Sequence, residues 1–301
     1  MTPVIVVGGW LGAGKTTLVN HLLRQAQGRR LAVLVNDFGD CVIDAELIDR
    51  AAGPADVLAL AGGCICCAYG ADLLSALQRV QAREPAPDLV LIEASGVALP
   101  QAVVRTVRLD RGLAVDGTVL LADASTLAAQ ARDPYVGDTV RAQLQQADLL
   151  LLNHVDRASA SVLAAARALQ PGGVPVVDTV QAAVPAELLF GLLPRRQEQA
   201  RDSDAEASAR RPLRPWRPHS AASEFTSELR RLAPPVDLQA LQAELAMLPG
   251  LLRAKGFVHT ADGRRWCLQA VGRRVEVRLH PVGGPSPADD VLLVVRHRGS
   301  G

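Results

Sequence analysis

The sequence predicts an α/β fold, a mostly parallel sheet with helices on both faces, followed by a smaller α+β domain. Three observations lead there. Up to about residue 180, short apolar runs alternate with longer stretches of helical periodicity. A glycine-rich turn directly follows the first apolar run. After a polar stretch, consecutive strand-like runs with a single helix close the chain.

The strands expected in the first part are 3–8, 31–36, 88–93, 117–122, 148–153 and 174–178. Their apolar character is continuous and not alternating, as suits strands covered on both faces. Helices are expected from near Lys15 and over 70–82. Residues 192–220, rich in Arg, Pro, Ala and acids and without an apolar period, read as a linker. Beyond it the pattern gives strands at 223–230, 251–259, 265–270, 273–280 and 290–297, and a helix at 236–247. The expected division is therefore 1–191, a linker at 192–220, and a second domain at 221–301.

With 49% hydrophobic residues, 301 positions supply an ample core. A formal charge of +1, from 32 basic and 31 acidic residues, gives no general attraction to nucleic acid or an anionic membrane. The first residues form an apolar strand without a basic leader, and no apolar run reaches the ~18 residues of a membrane span. The cytoplasm is the expected location. Only two of the 32 basic residues are lysines, Lys15 and Lys255. A compact ammonium has a specific use at Lys15, whereas compositional bias suffices for Lys255 taken alone.

Residues 9–16, Gly-Trp-Leu-Gly-Ala-Gly-Lys-Thr, follow a strand and open a helix, the context that a phosphate-binding loop requires. Gly9, Gly12 and Gly14 let the backbone curl around Ala13 so that successive N–H groups face phosphate oxygens. Lys15 is expected to reach the β- and γ-phosphates and Thr16 to place its hydroxyl on Mg(II). Thr17 is a candidate contact to an inner phosphate. The loop makes the first domain a sheet of the P-loop nucleotide-hydrolase kind.

Further candidates end other strands. Glu93 closes the run at 88–93, with Gly96 just beyond, at the carboxyl edge where open α/β sheets bind ligands. Glu93 is a candidate for holding Mg(II) through water, and the Gly96 N–H for sensing the γ-phosphate. The alternative is an ordinary strand-ending acid and a turn glycine. Asn153-His154-Val155-Asp156 resembles the Asn-Lys-x-Asp element with which GTPases recognise guanine. The Asp156 carboxylate can accept from two guanine N–H groups, whereas adenine would leave it unpaired. His154 stands where lysine is usual, so an imidazole replaces the aliphatic stem that covers the base.

Five cysteines, three of them Cys64, Cys66 and Cys67, are a poor disulfide framework and point to metal or redox chemistry. Extended geometry puts Cys64 and Cys66 on one side, and Cys67 lies close to the start of the helix at 70–82, where thiolates are favoured. Thiolates with one further ligand suit Zn(II), and Co(II) or Cu(I) would also fit. Asp40, in the acidic stretch 36–44, is a candidate extra ligand that would couple coordination to nucleotide state. A solvated acidic loop is the alternative.

Taken in order, GGWLGAGKTT, NDFGDCVID, GGCICC, IEASGVALP, NHVD and PGLLRAKGFV resemble the CobW-type metallochaperone GTPases over nearly the whole chain. The resemblance implies GTP hydrolysis in the presence of Mg(II). It also implies binding of Zn(II), or Co(II), at Cys64, Cys66 and Cys67, and delivery to a client apo-metalloprotein. By position, Lys15 and Thr16 serve phosphate and Mg(II), Glu93 is the acid after the third expected strand, and Asn153 and Asp156 recognise guanine. Asp37 and Asp40 stand where the family often carries glutamates, and the six histidines are scattered without a histidine-rich stretch. An oligomer is compatible with this reading. Two other functions remain open on the residues: a GTP-regulated metal buffer or sensor, and a P-loop kinase or ATPase with a structural zinc.

Overall fold

In the computed structural model, which describes residues 1–26, 28–36, 56–60, 71–190, 225–272, 274–279 and 290–297, the apolar runs of the first part pair into one sheet. Its seven strands are β1 (Thr2–Gly9), β2 (Leu31–Asn36), β3 (Asp56–Leu60), β4 (Leu89–Glu93), β5 (Leu113–Asp123), β6 (Leu149–Asn153) and β7 (Val176–Asp178). The spatial order is β3-β2-β4-β1-β5-β6-β7, and every neighbouring pair is parallel. Parallel pairing puts all carboxyl ends on one edge. The central strand β1 lies between β4 and β5, at the point where the chain switches direction across the sheet.

Helices cover both faces. Ile5 and Val7 of β1 bury against Leu18 and Leu22 of α1 (Lys15–Arg24), on the face that also takes α7 (Ala186–Phe190). Val4 and Val6 point the other way, onto Leu73 and Leu77 of α2 (Ala71–Gln81) and Val103 and Val107 of α3 (Pro100–Val107). Further along that face, Leu120 and Leu150 pack with α4 (Leu127–Gln130), α5 (Gly137–Leu144) and α6 (Ala160–Arg167).

Two strands differ from expectation. β3 was not foreseen, because Asp-Val-Leu-Ala-Leu is short and its alanine weakens the strand signal. β5 begins at Leu113 and not at 117, since Asp116-Gly117 has the composition of a turn. The chain instead continues through a bulge: Val4 pairs with Val115 and Ile5 with Gly117, leaving Asp116 as the extra residue.

The second sheet holds β8 (Phe225–Arg231), β9 (Leu251–His259), β10 (Arg265–Val271), β11 (Arg274–Leu279) and β12 (Val291–His297), in the antiparallel order β11-β10-β9-β12-β8. One helix, α8 (Leu238–Met247), is capped by Asp237, whose carboxylate accepts from the N–H groups of Gln239 and Ala240. Leu241 and Leu245 of this helix pack on Ala254, Val258 and Leu268. Leu252 and Val295 instead join the core on the α1 face of the first sheet.

The two sheets also meet through charge. Asp116, in the β5 bulge, is buried and pairs with Arg253 and with Lys255, whose Nζ lies 3.2 Å from Oδ1. Gln269 donates to the same residue's carbonyl and carboxylate. Burial alone would raise the Asp116 pKa, but the two cations outweigh it and hold the carboxyl below its ordinary value. Lys255 thus has a definite structural use that composition did not suggest.

The expected linker at 192–220 lies outside the described residues. So do Asp37, Asp40, Cys64, Cys66 and Cys67. Among the described residues, no helix is long and apolar enough to cross a membrane.

Candidate nucleotide site

The carboxyl ends of β1, β4, β5 and β6 bring the expected residues to one edge. Gly9 leaves β1 with φ 135°, and a Cβ there would stand 2.2 Å from the Leu121 carbonyl oxygen, so only glycine fits this approach of β1 to β5. Gly14 is left-handed (φ 101°) and caps α1, and a Cβ on it would meet the Asn153 amide at 2.5 Å. The first turn of α1 therefore opens at the sheet edge with its N–H groups unshielded by a side chain at the cap.

Lys15 is buried, and its Nζ donates to the Trp10 carbonyl across the loop at 3.2 Å. The Thr16 hydroxyl donates to Glu93 Oε1 at 2.9 Å, and Glu93 is only 1% exposed. A hydroxyl beside a buried carboxylate is a hard oxygen set, of the kind that Mg(II) accepts and a soft metal does not. Thr17 is exposed. Gly96 is buried under Leu11, and its carbonyl accepts from Gln143 of α5 at 3.0 Å. Gln143 also donates to Ala98 at 2.8 Å, which pins the turn after β4.

Asn153 is fully buried and uses both ends of its amide. Nδ2 donates to the Ala13 carbonyl at 2.9 Å, while Oδ1 accepts from the Ala182 N–H at 2.8 Å and the Thr179 hydroxyl at 3.2 Å. Next to it His154 takes a left-handed backbone (φ 59°), and its Nδ1 contacts Asp123 Oδ2 at 2.9 Å. Burial would raise the Asp123 pKa, but hydrogen bonds from the Ser125 hydroxyl, His154 and the Ser125 N–H lower it instead. Asp156 is exposed in the 3-10 turn Val155–Arg157 that follows.

The structure brings Ala13, Gly14 and Asn153 together, and Thr16 with Glu93. Sequence reasoning missed Asp123, Gln143, Thr179, Gln181 and Ala182 around the same edge. Asp123 carried a usable signal, being an acid that closes a buried strand. Among the described residues, no group of three or more His, Cys, Asp or Glu side chains is placed to hold a metal ion. Cys267 lies on β10, where burial raises its thiol pKa, as for a packing residue.

A glycine loop capping the first helix, a central strand at the switch point and a buried acid on the neighbouring strand define a P-loop nucleotide-binding protein. The chain belongs to the CobW/HypB/UreG family: the model of that family's nucleotide-binding domain matches residues 3–171, and that of the cobalamin synthesis protein CobW C-terminal domain matches residues 225–295. It is similar to a zinc chaperone CobW from a Sinorhizobium species, at 29% identity over 97% of this chain and 92% of that one. The Pseudomonas aeruginosa protein named zinc chaperone CobW is 33% identical over 63% of this chain and 60% of its own. Zinc chaperone YjiA of Escherichia coli is 34% identical over 52% and 51%.

Proposed function

We propose that this chain is a GTP-hydrolysing metallochaperone of the cytoplasm, built as a nucleotide domain at 1–191, a linker at 192–220 and a client-facing domain at 221–301. It binds Zn(II), with Co(II) the next candidate, at Cys64, Cys66 and Cys67, with Asp40 as the further ligand, and passes it to a client apo-metalloprotein. The observation that carries the reading is one of placement. β3 ends at Leu60, shortly before Cys64 in the sequence, and runs parallel to β2 in the sheet whose same edge carries Gly14, Thr16 and Glu93.

Each residue of the edge has a use in this reading. The loop N–H groups from Gly9 to Gly14 cradle phosphate, and Lys15 exchanges the Trp10 carbonyl for phosphate oxygens. Thr16 and Glu93 would hold Mg(II), which when bound neutralises phosphate charge. Gly96, steadied by Gln143, offers its N–H to the terminal phosphate. Asn153 joins the phosphate loop to the base end, where Asp156 accepts from guanine N–H groups and His154 covers the ring. In this reading the cargo step rests on the thiolates. Deprotonated cysteines bind the metal, and their geometry changes when the γ-phosphate leaves.

The experiment is GTP turnover with and without Zn(II) or Co(II), in the intact protein and in Cys66→Ala. The expected result is a metal-dependent rate in the intact protein that disappears in the variant. A rate indifferent to metal in both would overturn the coupling and leave a buffer or a simple nucleotide hydrolase.

A further inference from the structure

Three non-glycine residues among the described ones have a left-handed backbone: His154 (φ 59°), Gln181 (φ 53°) and Ala182 (φ 54°). Two of them border Asn153, and Gln181 directly precedes one of the two in the chain. His154 follows Asn153 in the chain, and the Ala182 N–H donates to Asn153 Oδ1. Two consecutive side-chain-bearing residues in this sparsely populated region persist only where neighbours hold them.

The holding groups come from α1 and its C-cap residue, Gln25. His21 Nε2 lies 2.9 Å from the Gln181 carbonyl oxygen. That oxygen can only accept, so Nε2 carries the proton. Burial, the largest influence, lowers the His21 pKa, and Arg24 adds to it against the opposing bond to Gln181, so the ring is neutral at neutral pH. One turn further, Gln25 grips the same segment at the Val184 carbonyl (3.3 Å) and the Ala186 N–H (3.0 Å). Positions 21 and 25 are neighbours on one helix face. The Ala182 N–H then fixes the acceptor end of Asn153, while its donor end reaches Ala13.

We infer that His21 is a positioning residue for base recognition: by holding the Gln181 carbonyl it keeps the left-handed pair in the conformation that orients Asn153 and the segment leading to Asp156. The inference rests on the reading above that Asn153 and Asp156 bind guanine. It assigns to the phosphate-loop helix a second task, carried six residues beyond Lys15 in the sequence. The class of ligand affected is the purine base and not the phosphate.

The test measures dissociation of a fluorescent GDP and the preference for GTP over ATP, with kcat and KM for GTP. In His21→Ala, GDP should leave about tenfold faster and the preference should fall by a similar factor, with kcat at saturation within about twofold. His21→Gln, whose amide N–H can donate to the same carbonyl, should restore most of the loss. Gln181→Gly frees one strained residue, so with Gln181→Gly present His21→Ala should change dissociation by less than about twofold. Unchanged GDP dissociation in a folded His21→Ala protein, or an equal loss with Gln181→Gly present, overturns the inference. If Asp156→Asn abolishes the guanine preference and His21→Ala does not, the positioning role alone fails. If the unaltered protein shows no preference for GTP over ATP, the base reading fails and the inference with it.

Discussion

The Asn153 amide donates to the Ala13 carbonyl at 2.9 Å, tying the end of β6 to the phosphate loop. Because Asn153 is fully buried, its truncation leaves the Ala13 carbonyl, the Ala182 N–H and the Thr179 hydroxyl without this partner. Asn153→Ala should therefore lose about 2–4 kcal/mol of stability in urea unfolding, the scale of stranded buried polar groups. GTP affinity should fall with it. A variant as stable as the parent would show that the three groups find other partners.

Glu93→Gln isolates charge from shape. The amide oxygen can still accept from the Thr16 hydroxyl, so the thermal midpoint should stay close to the parent's. The Mg(II) concentration for half-maximal GTP turnover should rise about tenfold, since a carboxylate is exchanged for a neutral oxygen near the cation. A Mg(II) titration of turnover checks this, and an unshifted curve would remove Glu93 from the cation site.

Asp116→Asn should be among the most destabilising substitutions at the junction of the sheets. It leaves Arg253 and Lys255 buried without their carboxylate, a change worth about 3–5 kcal/mol. The pH dependence has a definite sign. The Asp116 pKa is depressed in the fold, so its contribution is fully present above about pH 4 and is lost as pH falls through the folded value. Asp116→Asn should flatten the acid limb of a stability profile measured from about pH 5 down to about pH 2.

His154→Ala should weaken GTP and GDP together by about tenfold, the scale of an aromatic platform lost from a nucleic-acid base, with little change in kcat. Asp123→Ala should reproduce part of the loss, because Asp123 holds the imidazole at 2.9 Å. Nucleotide titrations by calorimetry distinguish this from a structural fault, which would lower the melting temperature as well.

The phosphate loop was legible because glycine spacing, strand and helix all constrain the same few residues. The position of Glu93 at the end of a buried strand was legible because a carboxylate closes a fully apolar run. Asp116 fell outside the expected strand 117–122, since Asp-Gly has the local chemistry of a turn and only pairing with β1 reveals a bulge. Lys255 could not be interpreted without its carboxylate, which lies 139 positions earlier in the chain. The left-handed pair at Gln181 and Ala182 carries no sequence signal, because neither residue is one that favours this backbone.

In the function proposed above, metal at Cys64, Cys66 and Cys67 and nucleotide at the phosphate loop sense each other. Coupling of this kind is reciprocal, so nucleotide state must change metal affinity by the same factor by which metal changes nucleotide affinity. The most direct measurement is Zn(II) affinity, by competition with a chromophoric chelator, of the protein loaded with a non-hydrolysable GTP analogue and with GDP. The account predicts at least about a tenfold difference between the two states, abolished in Cys66→Ala. Equal affinities in the two nucleotide states would contradict it.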